Sequence, residues 1–431
     1  MSIKYRFYAG LCYLFFPVML VVFLIFAVCA RYCSARNNKP RLVWGEAPII
    51  NNSYWARAMR KAGYISYSYT DGFCSSINER EDYDFVLQDR FWCVPVFLKY
   101  YLGFLCSLFS YEVFFISFNG FFLGRTPYWF LESFLLKLAD KKIVVIPFGL
   151  DSYVYRRVGS TAVGHGLQAS IPRRSREQGL VAKRVDYWCE RADCVIPGFI
   201  GFDGLGRWDV LLGSQLFIDD SLWSPSRRLS MADGAGGGTV YVAHSPNFRG
   251  FKGSEFVIEA VKILQKEGLK VELVLIEGMQ NSFVKKTFEL EVDLLVEQLI
   301  ISGHGLNAIE GMASGLPVIC NLEDERYILP LRRWSFFSEC PIVSASPESL
   351  ADILRRLVVD PKLRHELGGA GRAYVEKYHS YEAADFFFSS VLDYVYKKRA
   401  TLSDFCHPLF GDFVMRKEKV IHPLKNGRLP N

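Results

Sequence analysis

Hydrophobic positions along the chain fall into three regimes, and the first is an apolar run from Phe7 to Ala30 without a charged side chain. A helix of about 20 such residues spans roughly 30 Å of hydrocarbon. The run therefore predicts an N-terminal transmembrane helix within a membrane anchor of residues 1–40. A cleaved signal peptide is the alternative, because Val28 to Ala30 resemble a cleavage site. Signal peptides, however, usually have apolar regions of only about 7–15 residues.

The second regime alternates short apolar strands with helical segments, as parallel α/β domains do. In the first half we predict strands at 41–45, 113–118 and 143–147, and helices at 53–62 and 128–139. A further apolar stretch, 91–110, is either a second helix that touches the membrane or a buried helix leading into the next strand. The pattern favours the buried helix.

The third regime begins after a polar, glycine-rich segment at 224–238, which predicts a flexible linker. Alternation then resumes, with strands predicted at 239–243, 270–276, 294–296 and 317–320, and helices at 254–267, 306–314 and 381–398. The sequence thus predicts an α/β protein with two Rossmann-like parallel-sheet domains that face a cleft. The predicted boundaries are 41–223 for the first domain, 239–400 for the second and 401–431 for a basic, irregular tail.

Charge orients the predicted anchor. Lys4 and Arg6 precede the apolar run, and it is followed by Arg31, Arg36, Lys39 and Arg41. Because the more basic flank stays in the cytoplasm, we predict a single-pass membrane protein whose body is cytoplasmic. The formal net charge of +6 suits anionic lipid headgroups. No dense basic stripe interleaved with aromatic residues occurs, so a nucleic-acid partner is not expected.

The eleven cysteines include no CxxC pair, and Cys29, Cys106 and Cys320 lie in apolar runs. This pattern is typical of reduced thiols rather than of zinc ligands or disulfides. The acidic stretches Asp219-Asp220 and Glu323-Asp-Glu325 are interpreted as ordinary surface sequence rather than as ligands of a divalent ion. We therefore expect neither a metal nor another cofactor.

The first candidate site lies in HGLNAIEGMASGLPVIC, residues 304–320, where a helix is predicted to begin after Gly305. Backbone N–H groups at a helix start, together with the helix dipole, favour phosphate. Gly305, Leu306 and Asn307 would supply those donors, and Glu310, one turn further on, would accept hydrogen bonds from ribose hydroxyls. Alternatively, Glu310 merely complements the helix dipole.

The second candidate site is HSPNFRGFKG, residues 244–253, at the carboxyl end of the predicted strand 239–243. Ligands of open parallel sheets bind at such strand ends. Arg249 and Lys252 would place two cations on a diphosphate, and the adjacent glycines would allow close approach. The alternative is that both are ordinary solvated residues.

These two segments together resemble the donor-binding half of GT-B glycosyltransferases, specifically glycosyltransferase family 4. The resemblance implies a retaining, nucleotide-sugar-dependent enzyme in which a basic pair holds the diphosphate and an E-x7-E helix contacts the sugar and ribose. It assigns Arg249 and Lys252 as the basic pair and Glu310 as the second glutamate. It also places the loop ending at Gly278 near the nucleotide.

The sequence departs from the family pattern at Ser302, which stands where the first glutamate is expected, and in the R-x2-K spacing of the basic pair. These departures concern the residues that, by the resemblance, would recognise the donor sugar and take part in catalysis. His304, Ser302 or Gln298 would substitute, and we take His304 as a catalytic candidate.

The first half is similar to the acceptor-side domain of the same enzymes in three segments, WGEAPIINNSYWARAMRKAGY, SFNGFFLGRTPYWFLES and KKIVVIPFGLDSYVY. The resemblance as a whole covers roughly residues 41 to 395. Gly120 and Gly124 bracket a loop predicted at the cleft rim, either as part of the acceptor site or as a tight turn. Asp151 would orient an acceptor hydroxyl or cap a helix. His165 is placed in a loop without a supporting partner.

The predicted partners are accordingly a nucleotide-sugar donor, a lipid-linked or polysaccharide acceptor, and the membrane. The expected function is a membrane-anchored glycosyltransferase. Two alternatives stay open: a catalytically inactive GT-B scaffold in a membrane assembly, and a nucleotide-sugar epimerase.

Overall fold

The computed structural model describes residues 3–33, 39–73, 78–199, 201–226 and 231–425. The residues named above that lie outside this description are Arg36, the side chains of Lys4 and Arg6, and parts of the predicted linker (227–230) and tail (426–431).

The first domain is built on a six-stranded parallel sheet in the order β3-β2-β1-β4-β5-β6. Its strands are β1 Leu42–Trp44, β2 Ser66–Thr70, β3 Phe85–Val86, β4 Val113–Ile116, β5 Lys142–Val145 and β6 Cys194–Val195. Its helices are α1 Ile3–Leu14, α2 Phe16–Tyr32, α3 Ile50–Lys61, α4 Leu87–Arg90, α5 Val96–Ser110, α6 Glu132–Leu138, α7 Thr161–Ser170, α8 Pro172–Ser175 and α9 Gln178–Arg191. This strand order is that of a doubly wound, Rossmann-like sheet.

The second domain is built on a five-stranded parallel sheet in the order β11-β10-β9-β7-β8. Its strands are β7 Val240–His244, β8 Val271–Leu275, β9 Leu294–Gln298, β10 Val318–Cys320 and β11 Val343–Ser344. The remaining helices are α10 Arg249–Lys252, α11 Ser254–Lys266, α12 Asn281–Leu290, α13 Leu306–Ala313, α14 Glu325–Trp334, α15 Leu350–Val359, α16 Pro361–Tyr378, α17 Tyr381–Val395 and α18 Asp412–Met415. The prediction of two parallel-sheet α/β domains is confirmed.

The predicted N-terminal transmembrane helix is not shown. No single helix among the described residues is long and apolar enough to cross a membrane, although Tyr8–Leu14 and Phe16–Tyr32 meet that test together. The two are bent by 71°. Pro17 stands in the first turn of α2, where its missing N–H is tolerated but would interrupt a continuous helix. The apolar run is therefore a bent pair of helices.

Helix α17 follows the second domain in the chain but packs on the first. The ring of Phe388 lies 4.8 Å from that of Trp44 and 5.6 Å from that of Phe115, between centroids. At the other end of the helix, the Tyr394 hydroxyl donates to Asp209 Oδ1 at 3.0 Å. The two domains consequently share one aromatic core.

The segment after α17 also packs on the body of the protein. Leu402, Phe405 and Phe413 are buried in the same hydrophobic cluster as Phe388. The described part of the predicted basic tail is thus largely irregular in backbone, apart from α18, but is held by apolar contacts.

Candidate functional site

The carboxyl ends of β7 and β9 mark the point at which the strand order of the second sheet reverses, where open α/β sheets bind ligands. The loop after β7 leads into α10, and the loop after β9 leads into α13. The first domain lies directly against this edge, since the backbone N–H of Phe251 donates to Ser170 Oγ at 2.9 Å. Both predicted donor-binding segments therefore meet at one edge of the sheet and face the other domain.

Arg249 begins α10 and is about half exposed. Its Nε and Nη2 atoms donate to the two carboxylate oxygens of Glu277 at 2.7 and 2.6 Å. These hydrogen bonds raise the pKa of Arg249 and lower that of Glu277. Glu277 precedes Gly278, whose φ of +63° places it in the left-handed region that favours glycine. The guanidinium is accessible to solvent, but two of its donor atoms are already hydrogen-bonded to the Glu277 carboxylate.

Lys252 is buried, and its ammonium group forms an ion pair with the buried carboxylate of Glu297. Lys252 Nζ also donates to Gln298 Oε1 at 2.8 Å. The second oxygen of Glu297 accepts the backbone N–H of Gly305 at 3.2 Å. A carboxylate of the protein thus stands at the start of α13, between the cation and the helix amide that were predicted to hold phosphate.

Glu297 was missed in the sequence analysis, although one signal was present. It is the only charged residue of the fully buried strand β9, LLVEQ, and charged residues are rarely buried without a partner. Its partner Lys252 is 45 residues away in sequence, which local patterns do not reveal.

Gly305 immediately precedes α13, as predicted, with an extended backbone. A Cβ atom at this position would lie 3.0 Å from Glu297 Oε1 and 3.5 Å from Lys252 Nζ, so any side chain would press on the ion pair. Leu306 is the first residue of the helix, and Asn307 Nδ2 donates to the backbone oxygen of Ser245 at 3.2 Å. This bond ties the start of α13 to the loop after β7.

Glu310 lies on α13 at the domain interface and is 4% exposed. Its Oε1 accepts a hydrogen bond from Asn281 Nδ2 at 2.9 Å, and burial raises its pKa to about 7. Burial and the charge of Glu310 together raise the pKa of Tyr54, on α3 of the first domain. Glu310 therefore faces the first domain and changes charge near neutral pH.

His304 is buried between Phe199 of the first domain, 5.4 Å away between ring centroids, and Phe337, on which it stacks. Burial lowers its pKa to about 4, so the ring is neutral at pH 7. Neither ring nitrogen makes a hydrogen bond of good geometry within the described part of the chain. Ser302, in contrast, donates to Asn321 Oδ1 and accepts the N–H of Asp324, both at 3.3 Å.

The predicted open cleft is absent at these residues, because Lys252, His304 and Glu310 are each less than a tenth exposed. The Phe251–Ser170 hydrogen bond and the Phe199–His304 ring contact bridge the domains there. The structure brings the predicted donor-binding residues together, but in a closed arrangement.

A small pocket, with room for no more than about one water molecule, lies in the first domain at the carboxyl ends of β1, β4 and β5. It is lined by Gly45, Ala47, Ile49, Asn52, Trp55, Phe115, Ile116, Ser117, Ile146 and Phe148. Because β1 and β4 are adjacent in the sheet, the pocket sits where the strand order of this sheet reverses.

Asp151 lies beside this pocket and is buried. Its carboxylate accepts the backbone N–H groups of Phe118 at 2.9 Å, and of Phe148 and Gly149 at 3.0 Å each. Burial raises its pKa to about 6. Both oxygens are used to join the loops that follow β4 and β5, so in this structure Asp151 positions the pocket wall.

The loop between Gly120 and Gly124 is fixed by Glu132, a buried acid that the sequence analysis missed. Glu132 Oε1 accepts the N–H of Phe121 at 2.8 Å, and burial raises its pKa to about 8. Gly120 has φ of +87°, and a Cβ there would come within 2.3 Å of Glu132 Oε2. A Cβ on Gly124 would come within 2.0 Å of the Asn119 oxygen. Both positions require glycine.

A third missed acid, Glu46, stands two residues after the end of β1 and is fully buried. Arg125 Nε donates to Glu46 Oε2 at 2.6 Å, and the same guanidinium lies 3.3 Å from Asp71. Burial raises the pKa of Glu46 to about 7. Polar groups from the ends of β1 and β2 and from the glycine loop thus converge on the first domain's crevice.

His165 is not in a loop, as the sequence analysis had it, but within α7. The helix begins after Ser160, whose side chain accepts the N–H of Val163 at 3.4 Å. The serine N-cap was the signal that the prediction overlooked.

No protein-family model and no curated protein sequence matches the chain. Among solved structures, the C-terminal domain of a glycosyl transferase group 1 family protein (LpcC) from Francisella tularensis is 21% identical, covering 38% of this chain and 98% of that chain, with a TM-score of 0.27. TarM from S. aureus is 14% identical over 66% of this chain and 55% of that chain, with a TM-score of 0.43. The wall teichoic acid polymerase TagF is 12% identical over 92% of this chain and 99% of that chain, with a TM-score of 0.41. The chain is similar to these proteins at a level that does not place it in a family.

Proposed function

We propose that the protein is a membrane-anchored, retaining glycosyltransferase that transfers a sugar from a nucleotide-sugar donor to a lipid-linked or polysaccharide acceptor. The observation that carries the proposal is the convergence of Arg249, Lys252, the start of α13 and Glu310 at one sheet edge facing the first domain. Cations and helix amides are the groups that neutralise a leaving diphosphate.

In the proposed donor complex, the domains separate at the closed interface and the diphosphate replaces two carboxylates. The carboxylate of Glu277 moves away from Arg249. The carboxylate of Glu297 likewise moves away from Lys252 and from the backbone N–H of Gly305. Glu310 then accepts hydrogen bonds from the ribose, while Leu306 and Asn307 add the next amides of the helix. His304, neutral at pH 7, is available to accept a proton, or to accept a hydrogen bond from a sugar hydroxyl.

On the acceptor side, the pocket beside Asp151 and the Gly120–Gly124 loop would widen as the domains separate and then receive the acceptor. Its walls are positioned by Asp151 and Glu132, so these residues would act through the loops that they hold. Acceptor hydroxyls would approach the donor from the first domain as the two sheet edges close.

A panel of nucleoside diphosphates and nucleotide sugars, tested by thermal shift and by transfer of labelled sugar, examines this proposal. A ligand that binds the native state raises the melting temperature. Binding should be weakened in Glu310→Ala and Arg249→Ala but unchanged in Glu259→Ala on helix α11. If no nucleotide binds, or if both site variants bind as the unchanged protein does, the proposal is wrong.

A second candidate function, an inactive scaffold, is favoured by Ser302, which takes the place of the expected first glutamate and is used in two loop hydrogen bonds. An assay of sugar transfer distinguishes the scaffold from the glycosyltransferase. Nucleotide binding without sugar transfer to any acceptor supports the scaffold, whereas a rearranged donor sugar formed without acceptor supports the epimerase.

A further inference from the structure

Helix α2 lies along the surface of the first domain rather than projecting from it. Phe23 packs against Tyr101 of α5 and against Tyr128, with ring centroids 6.1 and 5.8 Å apart. Further along, Phe26 contacts Phe109, near the end of α5, at 6.1 Å. Three side chains of α2, including Ala27 and Ala30, are fully buried in these contacts. The helix is therefore part of the folded domain over most of its length.

Helix α1 is held on the same domain. The Tyr8 hydroxyl is hydrogen-bonded to that of Tyr101 at 2.6 Å, and the Tyr128 hydroxyl donates to the backbone oxygen of Cys12. With the 71° bend between them, α1 and α2 form an L-shaped pair whose two arms both rest on the domain.

The outer side of this pair is apolar and exposed, and it continues onto neighbouring segments. Tyr8 contacts Phe97 of α5 at 6.5 Å between ring centroids, and Phe16 contacts Phe130 at 6.3 Å. We call the combined surface the apolar face; its exposed members are Tyr13, Leu14, Phe15, Val18, Val21, Ile25, Trp92, Val96, Phe97, Phe130 and Phe134. Trp92 is 81% exposed and Leu14 is 73% exposed. Soluble monomers rarely expose so large a contiguous apolar surface.

We propose that the apolar face docks into one leaflet of a lipid bilayer, with α1 and α2 lying in the membrane interface instead of crossing it. A crossing α2 would carry α5, and the sheet beneath it, into the hydrocarbon, because these elements are packed together. Docking in one leaflet instead immerses only the apolar side chains. Both the N-terminus and the body then lie on the same side of the membrane.

Composition and charge favour a bilayer over a second protein chain as the occupant. No charged residue occurs from Phe7 to Ala30, and the exposed Arg31 follows at the end of α2. Tyr13 and Trp92 have the amphipathic rings that are enriched at membrane interfaces. The formal net charge of +6 adds attraction to anionic headgroups.

The apolar face also adjoins the polar crevice of the first domain. Helix α5 packs on the loop that carries Arg125, since a Cβ atom on Gly103 would come within 2.9 Å of the ring of Phe122 in that loop. An acceptor whose lipid chain is held in the leaflet would thus present its polar end close to Arg125. This last step rests on the proposed transferase function; the docking itself does not.

Flotation of the full-length protein with vesicles of phosphatidylcholine and phosphatidylglycerol tests the docking. The double variant Trp92→Ser/Phe97→Ser lies outside the N-terminal pair and should weaken vesicle binding about tenfold or more. The matched control is Phe256→Ser/Phe283→Ser, which removes two half-exposed rings from the second domain and should leave binding unchanged. Equal effects of the two double variants would overturn the proposal.

Protease added outside sealed vesicles distinguishes the modes of attachment. Docking in one leaflet predicts digestion of an N-terminal epitope together with the body, whereas protection of one of them indicates a spanning helix and contradicts the proposal. A stable dimer that does not bind vesicles would identify a second copy as the occupant. Transfer to a water-soluble acceptor, measured in parallel, reports separately on the proposed function.

Discussion

Lys252 and Glu297 form a buried ion pair at the start of α13, and the glutamate also accepts the backbone N–H of Gly305. The protein thus supplies its own anion where a diphosphate is proposed to bind. Such a carboxylate stabilises the empty site and competes with the ligand. The first prediction separates these two effects.

Glu297→Gln should lower stability and raise affinity for diphosphate together. The ammonium of Lys252 would stay buried without a counterion, which costs about 3–5 kcal/mol, while the neutral amide no longer competes with an anion. Urea unfolding and titration with inorganic diphosphate measure the two quantities. Glu272→Gln, at an exposed position of β8, is the control. A variant that loses stability but gains no affinity would show that Glu297 is only structural.

Glu310→Gln should change how stability depends on pH. The folded-state pKa of Glu310 is about 7 against an ordinary 4.5, so the native state holds this proton more tightly than the unfolded state does. The carboxyl therefore destabilises the fold increasingly as the pH rises from about 4.5 to 7, by up to about 3 kcal/mol above that range.

The measurement for Glu310 is urea unfolding at pH 5 and pH 8. The stability difference between Glu310→Gln and the unchanged protein should shift in favour of the variant at the higher pH. Glu46, Glu132 and Asp151 also have raised pKa values, so only this difference isolates Glu310. A difference that does not vary with pH would contradict a buried, ionisable Glu310.

Arg249→Ala should leave thermal unfolding nearly unchanged, because exposed ion pairs contribute little to stability. Its effect should appear in nucleotide binding, which becomes weaker and less dependent on salt as one phosphate contact is lost. Isothermal titration at two ionic strengths measures both properties. The control is Arg355→Ala, which breaks the exposed Arg355–Glu267 pair far from the proposed site; equal binding losses in the two variants would argue against a specific role for Arg249.

Phe388→Ala should destabilise both domains at once by about 3–5 kcal/mol, the usual cost of removing a buried aromatic ring. The ring belongs to α17 but packs on Trp44 and Phe115 of the first sheet. Near-ultraviolet circular dichroism and tryptophan fluorescence should both report a single unfolding transition, at a lower melting temperature than that of the unchanged protein. Phe256→Ala, at an exposed site of α11, should not shift the transition.

Elements with plain apolar patterns were predictable from the sequence. The helix predicted at 306–314 is observed as Leu306–Ala313, bounded by Gly305 and Gly315, and the strand predicted at 270–276 is Val271–Leu275. Strand β2 was missed because its buried residues in SYSYT are serine, threonine and tyrosine. Because these buried residues carry polar groups, the pattern of hydrophobic positions does not reveal the strand.

The candidate site was predictable only in part, since its charge balance depends on contacts between distant segments. Arg249 and Lys252 were identified from one loop, but their partners Glu277 and Glu297 come from the ends of two other strands. The closure of the site depends on the packing of Phe199 against His304. That contact joins two domains, so it cannot be predicted from the local sequence around either residue.

The position of α17 has a consequence for the order of synthesis. Trp44 leaves the ribosome long before Phe388, which covers it, is translated. Until then the nascent first domain shows an uncovered aromatic surface of the kind that invites aggregation. We therefore expect its folding to be completed only once α17 has been synthesised, and the isolated amino-terminal half to depend on chaperones for solubility.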